Sequence, residues 1–221
     1  MRVLLFGSTG MVGQGILREC LLDSDIAQVV SVVRAPSNRR DPKLREIVHS
    51  DLFDLGPVAG ELTDFDAAFW SIGVTSVGMS ESEYTRLTYD MTLSVAQFLA
   101  PRNPRMTFVY ISGQGADSTE HGRSMWARVR GKTENALLRL PFKAVYVLRP
   151  GFIQPLHGIT SRTRLYRVLY PVFLPLLPIF KSLAPKYFTT TEQLGRLVVS
   201  LAKRGDSKHL LEMPDITAFR G

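Results

Sequence analysis

Apolar positions along the chain alternate between two patterns. Short runs with almost no polar break recur at residues 3–6, 28–33, 67–72, 106–111 and 144–148. Runs of this length suit strands buried on both faces of a parallel sheet. Between them, apolar residues repeat at helical spacing. The first set is Met11, Val12, Ile16, Leu17, Cys20 and Leu21, and the second is Tyr84, Leu87, Met91, Val95 and Phe98. In a third segment Trp126, Val129, Arg130, Thr133 and Leu137 fall along one helical face, mixing apolar and polar residues. Such spacing predicts helices with one buried face. Ser80-Glu81-Ser82-Glu83 reads as a capping box opening the second helix, and Pro101 and Pro141 close the second and third. Weaker signals place a strand at 46–49 and a short helix at 55–62. A final amphipathic helix, 192–203, follows a cap within 189–191. Gly131 interrupts the third helix, where glycine costs about 1 kcal/mol against alanine, and this points to a close contact.

The first strand and helix are joined by Gly7-Ser8-Thr9-Gly10-Met11-Val12-Gly13. Strand, glycine turn and helix in that order form the context of a dinucleotide fingerprint. Gly7 turns the chain, Gly10 admits a pyrophosphate to the backbone, and Gly13 lets the helix lie close to the sheet. The helix N-terminus then offers N–H groups and a positive dipole end to phosphate. The expected fold is α/β: a Rossmann-like doubly wound parallel sheet with helices on both faces, forming a single domain. Residues 1 to about 150 would bind nucleotide, and about 151–221 would form a lobe on the substrate side. Arg34 ends the second strand, where an acidic residue favours NAD and an arginine accommodates the 2′-phosphate of NADP. Asp51 and Leu52 follow the third strand at the expected adenine position. Ser71, Ile72 and Gly73, continuing to Thr75, should flank the cofactor from the end of the fourth strand.

Composition narrows the function classes. The chain has 221 residues, 45% of them hydrophobic and 21% charged, which suits one globular domain. Its single cysteine, Cys20, lies on a helical core face, excludes an internal disulfide and agrees with a reducing cytoplasm. The first apolar run is too short for a secretory signal. Residues 165–180 are the richest apolar stretch, but Arg167, Pro171, Pro175 and Pro178 interrupt it. That argues against a transmembrane segment and for a lid or substrate wall, the alternative being contact with a membrane surface. Net charge is +7. The main basic concentration, Arg34, Arg39, Arg40, Lys43 and Arg45, has no interleaved aromatic residues. This argues against nucleic acid and for a smaller anionic partner. The histidines at 49, 121, 157 and 209 lack metal-ligand spacing. The helices beginning near Glu81 and Ser124 offer subunit contacts, so the chain is expected to be a monomer or homodimer.

With Gly7 to Gly13, Arg34, Ser112 after the fifth strand and Leu148-Arg149-Pro150-Gly151 after the sixth, the chain resembles the atypical short-chain dehydrogenase/reductase superfamily. Within it, the Tat-interacting-protein-like branch, often labelled NAD-dependent epimerase/dehydratase, is the most similar. The likeness covers nearly the whole chain, including Arg130-Gly131-Lys132-Thr133-Glu134. It implies binding of NADP(H) or NAD(H) by the positions above together with Arg130, Pro150 and Gly151. It also implies a catalytic serine and a Tyr-x-x-x-Lys pair. Ser112 matches the serine, but Trp126 and Arg130 stand at the tyrosine and lysine positions. Indole cannot titrate usefully, and a guanidinium cannot relay protons. Three readings follow. One is an unusual or weak oxidoreductase or isomerase on a small organic substrate, its proton coming from His121, from Ser112 through water, or from the substrate. The second is a protein that senses NADP(H) with little turnover. The third is a protein- or membrane-surface interaction module.

Overall fold

A computed structural model describes residues 1–160 and 187–220. Its main sheet contains β1 (Arg2–Phe6), β2 (Gln28–Val33), β3 (Leu44–Val48), β4 (Ala67–Trp70), β5 (Thr107–Ile111), β6 (Ala144–Leu148) and β9 (Leu210–Leu211). The spatial order is β3-β2-β1-β4-β5-β6-β9, and every pairing is parallel. The order reverses between β1 and β4. In such sheets a ligand crevice opens outside the carboxyl ends of the strands at that point.

The unbroken apolar runs are explained by a core on each face. Successive strand residues point to opposite sides. Val3, Leu5, Phe69, Val109 and Leu148 pack with α1 (Met11–Leu22) and α5 (Thr191–Arg204). Leu4, Phe6, Trp70, Phe108 and Val147 face the other way, against α3 (Met91–Leu99) and Leu137 of α4 (Met125–Leu138). Phe6 and Trp70 bring their ring centroids to 5.1 Å.

Several boundaries differ from the sequence reading, each for a local reason. β4 stops at Trp70, because the Ser71 hydroxyl and amide both donate to the Phe6 carbonyl, at 2.7 and 3.0 Å. β3 starts at Leu44, two residues early. It is an edge strand, so Arg45 and Glu46 can sit on it while pairing with Glu61 and Ser37. The short helix is a 3₁₀ segment, Gly56–Glu61, with Pro57 in its first turn. The second helix is α2 (Glu81–Thr85) with its capping box, a π turn (Arg86–Asp90), and then α3. The π turn adds a residue to one turn and rotates the buried face. Thr88, Thr92, Val95 and Leu99 are buried, whereas Leu87 and Met91 lie only partly covered.

The boundary drawn near residue 150 does not divide the core. Helix α5, β9 and α6 (Met213–Ala218) all contribute to it, through Leu194, Val198, Leu211, Met213 and Ile216. The parallel ribbon of β7 (Phe152–Gln154) and β8 (Phe188–Thr190), β9 and α6 went unread in the sequence. The apolar stretch at 165–180, expected to be a lid or surface helix, lies outside the described residues. Among the described residues no helix is long and apolar enough to cross a membrane.

Gly131 has the close contact its sequence position predicted. A Cβ there would lie 1.7 Å from the Asp117 carbonyl oxygen, whose residue also donates its amide to Ala127 at 2.9 Å. Alanine gains about 1 kcal/mol of helix propensity but forces a backbone shift costing about 3 kcal/mol or more. Gly131→Ala should therefore lose about 2 kcal/mol in urea denaturation. An unchanged midpoint would contradict this packing.

Candidate functional site: the crevice at the carboxyl edge

The turn after β1 is fixed by backbone geometry. Gly7 has φ +86°, and the Gly10 amide donates to its carbonyl at 2.9 Å. A Cβ on Gly13 would lie 2.0 Å from that same carbonyl oxygen. Helix α1 is thereby seated directly on the turn. Its first turn has no side-chain cap and no acidic residue. A Cβ on Gly10 would find one neighbour within 4 Å, the Gly7 carbonyl at 3.4 Å, so this corner of the backbone is open. Exposed N–H groups, a positive dipole end and open backbone fit a pyrophosphate. Ser31 holds Ser8 by donating to its hydroxyl at 2.6 Å, and Gln14 donates to the Thr9 carbonyl at 3.2 Å.

Beside the turn lies a groove of about 510 Å³. Gly7, Ser8, Thr9 and Gly10 form one wall, and Ser71, Ile72 and Gly73 another, with Arg34, Asp51 and Leu52 at the far end. Met11, Val12 and Gly13 sit just behind, in the first turn of α1. Arg34 is exposed, with no ion-pair partner among the described residues. Asp51 accepts the Phe53 amide at 2.9 Å, which shapes the loop that presents Phe53, itself 40% exposed. Leu87 and Met91, turned outward by the π turn, also line this groove. His49 is a strut, bonded through Nε2 to the Asp54 carbonyl at 2.6 Å. Arg39 lines a separate depression beside Gln14 and Arg18.

A second cavity, about 570 Å³, adjoins the groove at Val74. Trp126, Arg130, Pro150 and Gly151 line it, together with Gln114 and Tyr84. Trp126 stands 3.2 Å from where a Cβ on Gly115 would be. The Arg130 Nε donates to the Tyr84 hydroxyl oxygen at 3.0 Å. Burial works against the Arg130 charge, but the neighbouring Tyr110, Tyr84 and Glu134 outweigh it and hold its pKa above the ordinary value. Burial pushes the Tyr110 phenol up, so it stays neutral.

Ser112 does not line either cavity. It is 7% exposed, and its hydroxyl donates to Glu134, which is wholly buried. Glu134 pairs in turn with Arg149, whose Nε lies 3.1 Å from Oε2 and whose other nitrogens reach Ser118 at 2.5 Å and Glu212 at 2.8 Å. Burial opposes the Arg149 charge, and bonds to Glu134 and Glu212 more than offset it, raising its pKa. Ser112 thus belongs to a buried ion network rather than to the lining of either cavity. His121, the other proposed donor, is exposed and lines neither cavity.

Tyr84 was missed as a site residue because its spacing matched an unbroken core face. The only local signal was its place in the first turn after a capping box. Glu134 and Arg149 were each visible in the sequence, but nothing local linked them.

No protein-family model matches the chain. Among curated proteins, fmp52 of Emericella nidulans is 30% identical over 158 residues, covering 68% of this chain and 66% of that protein. FMP52 of Meyerozyma guilliermondii is 25% identical over 235 residues, covering 95% and 98%. Among solved structures, the dTDP-glucose 4,6-dehydratase DesIV of Streptomyces venezuelae, with NAD bound, has a TM-score of 0.70 at 19% identity. It aligns over 96% of this chain and 75% of that one. A short-chain dehydrogenase family protein of Francisella tularensis aligns over 99% of both chains, with a TM-score of 0.66 at 15% identity. The chain is thus similar in sequence to the FMP52 proteins and shares the fold of solved short-chain dehydrogenase and epimerase/dehydratase structures. Its seven-stranded parallel sheet matches the Rossmann-like α/β fold of those structures. The cytoplasmic expectation is overturned, since both curated relatives are named as mitochondrial proteins. One buried thiol, as at Cys20, shows that no internal disulfide forms and does not distinguish one reducing compartment from another.

Removing Glu134 would leave Arg149 buried without its main counter-charge. Breaking such a pair costs about 3–5 kcal/mol. Glu134→Ala should show that loss in urea denaturation. A loss under about 1 kcal/mol would mean the network contributes little.

Proposed function

We propose that the chain binds a nicotinamide dinucleotide along the carboxyl edge of the sheet and acts on a small carbonyl or alcohol substrate in the adjoining cavity. The observation that carries this reading is the pair of cavities meeting at Val74, one on the glycine turn and the other holding Arg130. The pyrophosphate would rest on residues 7–13, with adenine near Asp51 and Leu52. The nicotinamide end would lie past Ser71, Ile72 and Gly73 toward Arg130, Pro150 and Gly151. The bound dinucleotide supplies or accepts a hydride. The chain's own residues orient the partners and keep water from them.

We assign the preference to NADP(H). Arg34 stands at the groove's far end with its guanidinium unpaired among the described residues, where it can fork two N–H groups onto a 2′-phosphate. The Streptomyces enzyme was solved with NAD, so this preference rests on Arg34 alone. A second reading, a binder with little turnover, is favoured by the withdrawal of Ser112 into the buried network.

Calorimetric titration with NADPH and NADH tests the assignment. NADPH should bind more tightly, and Arg34→Ala should weaken NADPH about tenfold or more while leaving NADH nearly unchanged, as loss of a charge-assisted phosphate contact of about 1.5–3 kcal/mol implies. Equal affinities, unaltered by the substitution, would remove the NADP preference. No binding of either would remove the nucleotide reading.

A further inference from the structure

The superfamily's tyrosine position holds Trp126, yet a different tyrosine reaches the same cavity. Tyr84 comes from α2, which packs against α4, and is 1% exposed. Its hydroxyl oxygen accepts from Arg130, and its own proton finds no acceptor among the described residues. A buried hydroxyl normally has both roles filled. Here the donor side is left for whatever occupies the cavity.

We propose that Tyr84 is the proton donor and acceptor of this site, with Arg130 as its positioning residue. The inference rests on the nucleotide reading above. In carbonyl reduction, hydride adds to the substrate carbon and the C=O π pair moves onto oxygen. That oxygen takes the Tyr84 proton as the phenolic O–H bond breaks. The product is the alcohol. The phenolate keeps the charge-assisted hydrogen bond from Arg130 Nε and regains a proton from water. Alcohol oxidation is the reverse, the phenolate taking the hydroxyl proton as hydride leaves the carbon.

The surroundings favour this assignment over the other candidates. The Arg130 guanidinium is held between two glycines: its terminal nitrogens lie 3.4 and 3.8 Å from where Cβ atoms on Gly113 and Gly73 would be. With no side chains there, the guanidinium lies open to the ends of β4 and β5. Tyr110 lines neither cavity, and Ser112 is committed to Glu134. The capping box and the π turn bracket Tyr84 within a single turn, which fixes its backbone on both sides. π turns recur at functional sites for this kind of re-aiming.

The test uses full-length protein with NADPH and a panel of small aldehydes and ketones, alongside calorimetry with NADPH. Tyr84→Phe should bind NADPH as the parent does and lose about 100-fold or more in kcat, the usual range for removing a general acid. Arg130→Leu should lower kcat and also shift the Tyr84 ¹³Cζ resonance in tyrosine-labelled protein, that resonance being assigned by its loss in Tyr84→Phe. Full activity in folded, NADPH-bound Tyr84→Phe overturns the proposal. So does a parent protein that binds NADPH but reduces no carbonyl, with the nucleotide reading left intact. An unmoved Tyr84 resonance in Arg130→Leu overturns the positioning role. Failure of the parent to bind NADPH overturns both readings, and calorimetry distinguishes that case.

Discussion

Between Gly7 and Gly13 there is no room for a side chain, and this absence sets the geometry of the crevice. A Cβ on Gly13 would come 2.0 Å from the Gly7 carbonyl oxygen, and one on Gly7 would come 2.8 Å from Ser71. Helix α1 can therefore start almost in contact with the ends of β1 and β4. Its uncapped first turn faces the place where the strand order reverses. A larger residue at either position would push the helix off the sheet and carry its N–H groups away from the crevice. Arg34, Asp51 and the loop after β4 are placed relative to that turn by the parallel register of β1 with β2 and β4.

A second constraint acts on the other half of the crevice. Glu134 and Arg149 are buried together, and burying charges is costly unless every bond is made. The pair meets that condition by taking in Ser112, Ser118 and Glu212. It ties the end of β6 to α4 and to the cap of α6, and so positions the loop carrying Gln114 and Gly115 over the cavity. The consequence is chemical as well as structural. The Ser112 hydroxyl is committed to Glu134, and the polar side chains lining the cavity include Arg130, Tyr84 and Gln114.

The strands and the glycine turn were legible in the sequence because their cause is local. An unbroken apolar run such as 144–148 has one stable setting, and its predicted bounds match β6. The groove residues 7–10, Arg34, Asp51, Leu52 and 71–73 also came together, since parallel βα units bring strand ends to one edge. The rest depended on relations that spacing does not record. The π turn at 86–90 broke a periodicity that looked continuous, so Leu87 and Met91 went to the groove wall and Tyr84 to the cavity. Ser112 matched a pattern, but its hydroxyl was decided by Glu134, 22 residues away. β9 is two residues long, too short to show any period.

Hydrogen exchange with and without NADPH tests the central claim most directly, because it reports where a ligand rests as well as whether one binds. The crevice account predicts slower exchange in the amides of Met11, Val12 and Gly13 at the start of α1, and in residues 71–75. Binding without protection there, or protection confined to the opposite face around Arg196 and Lys203, would contradict it.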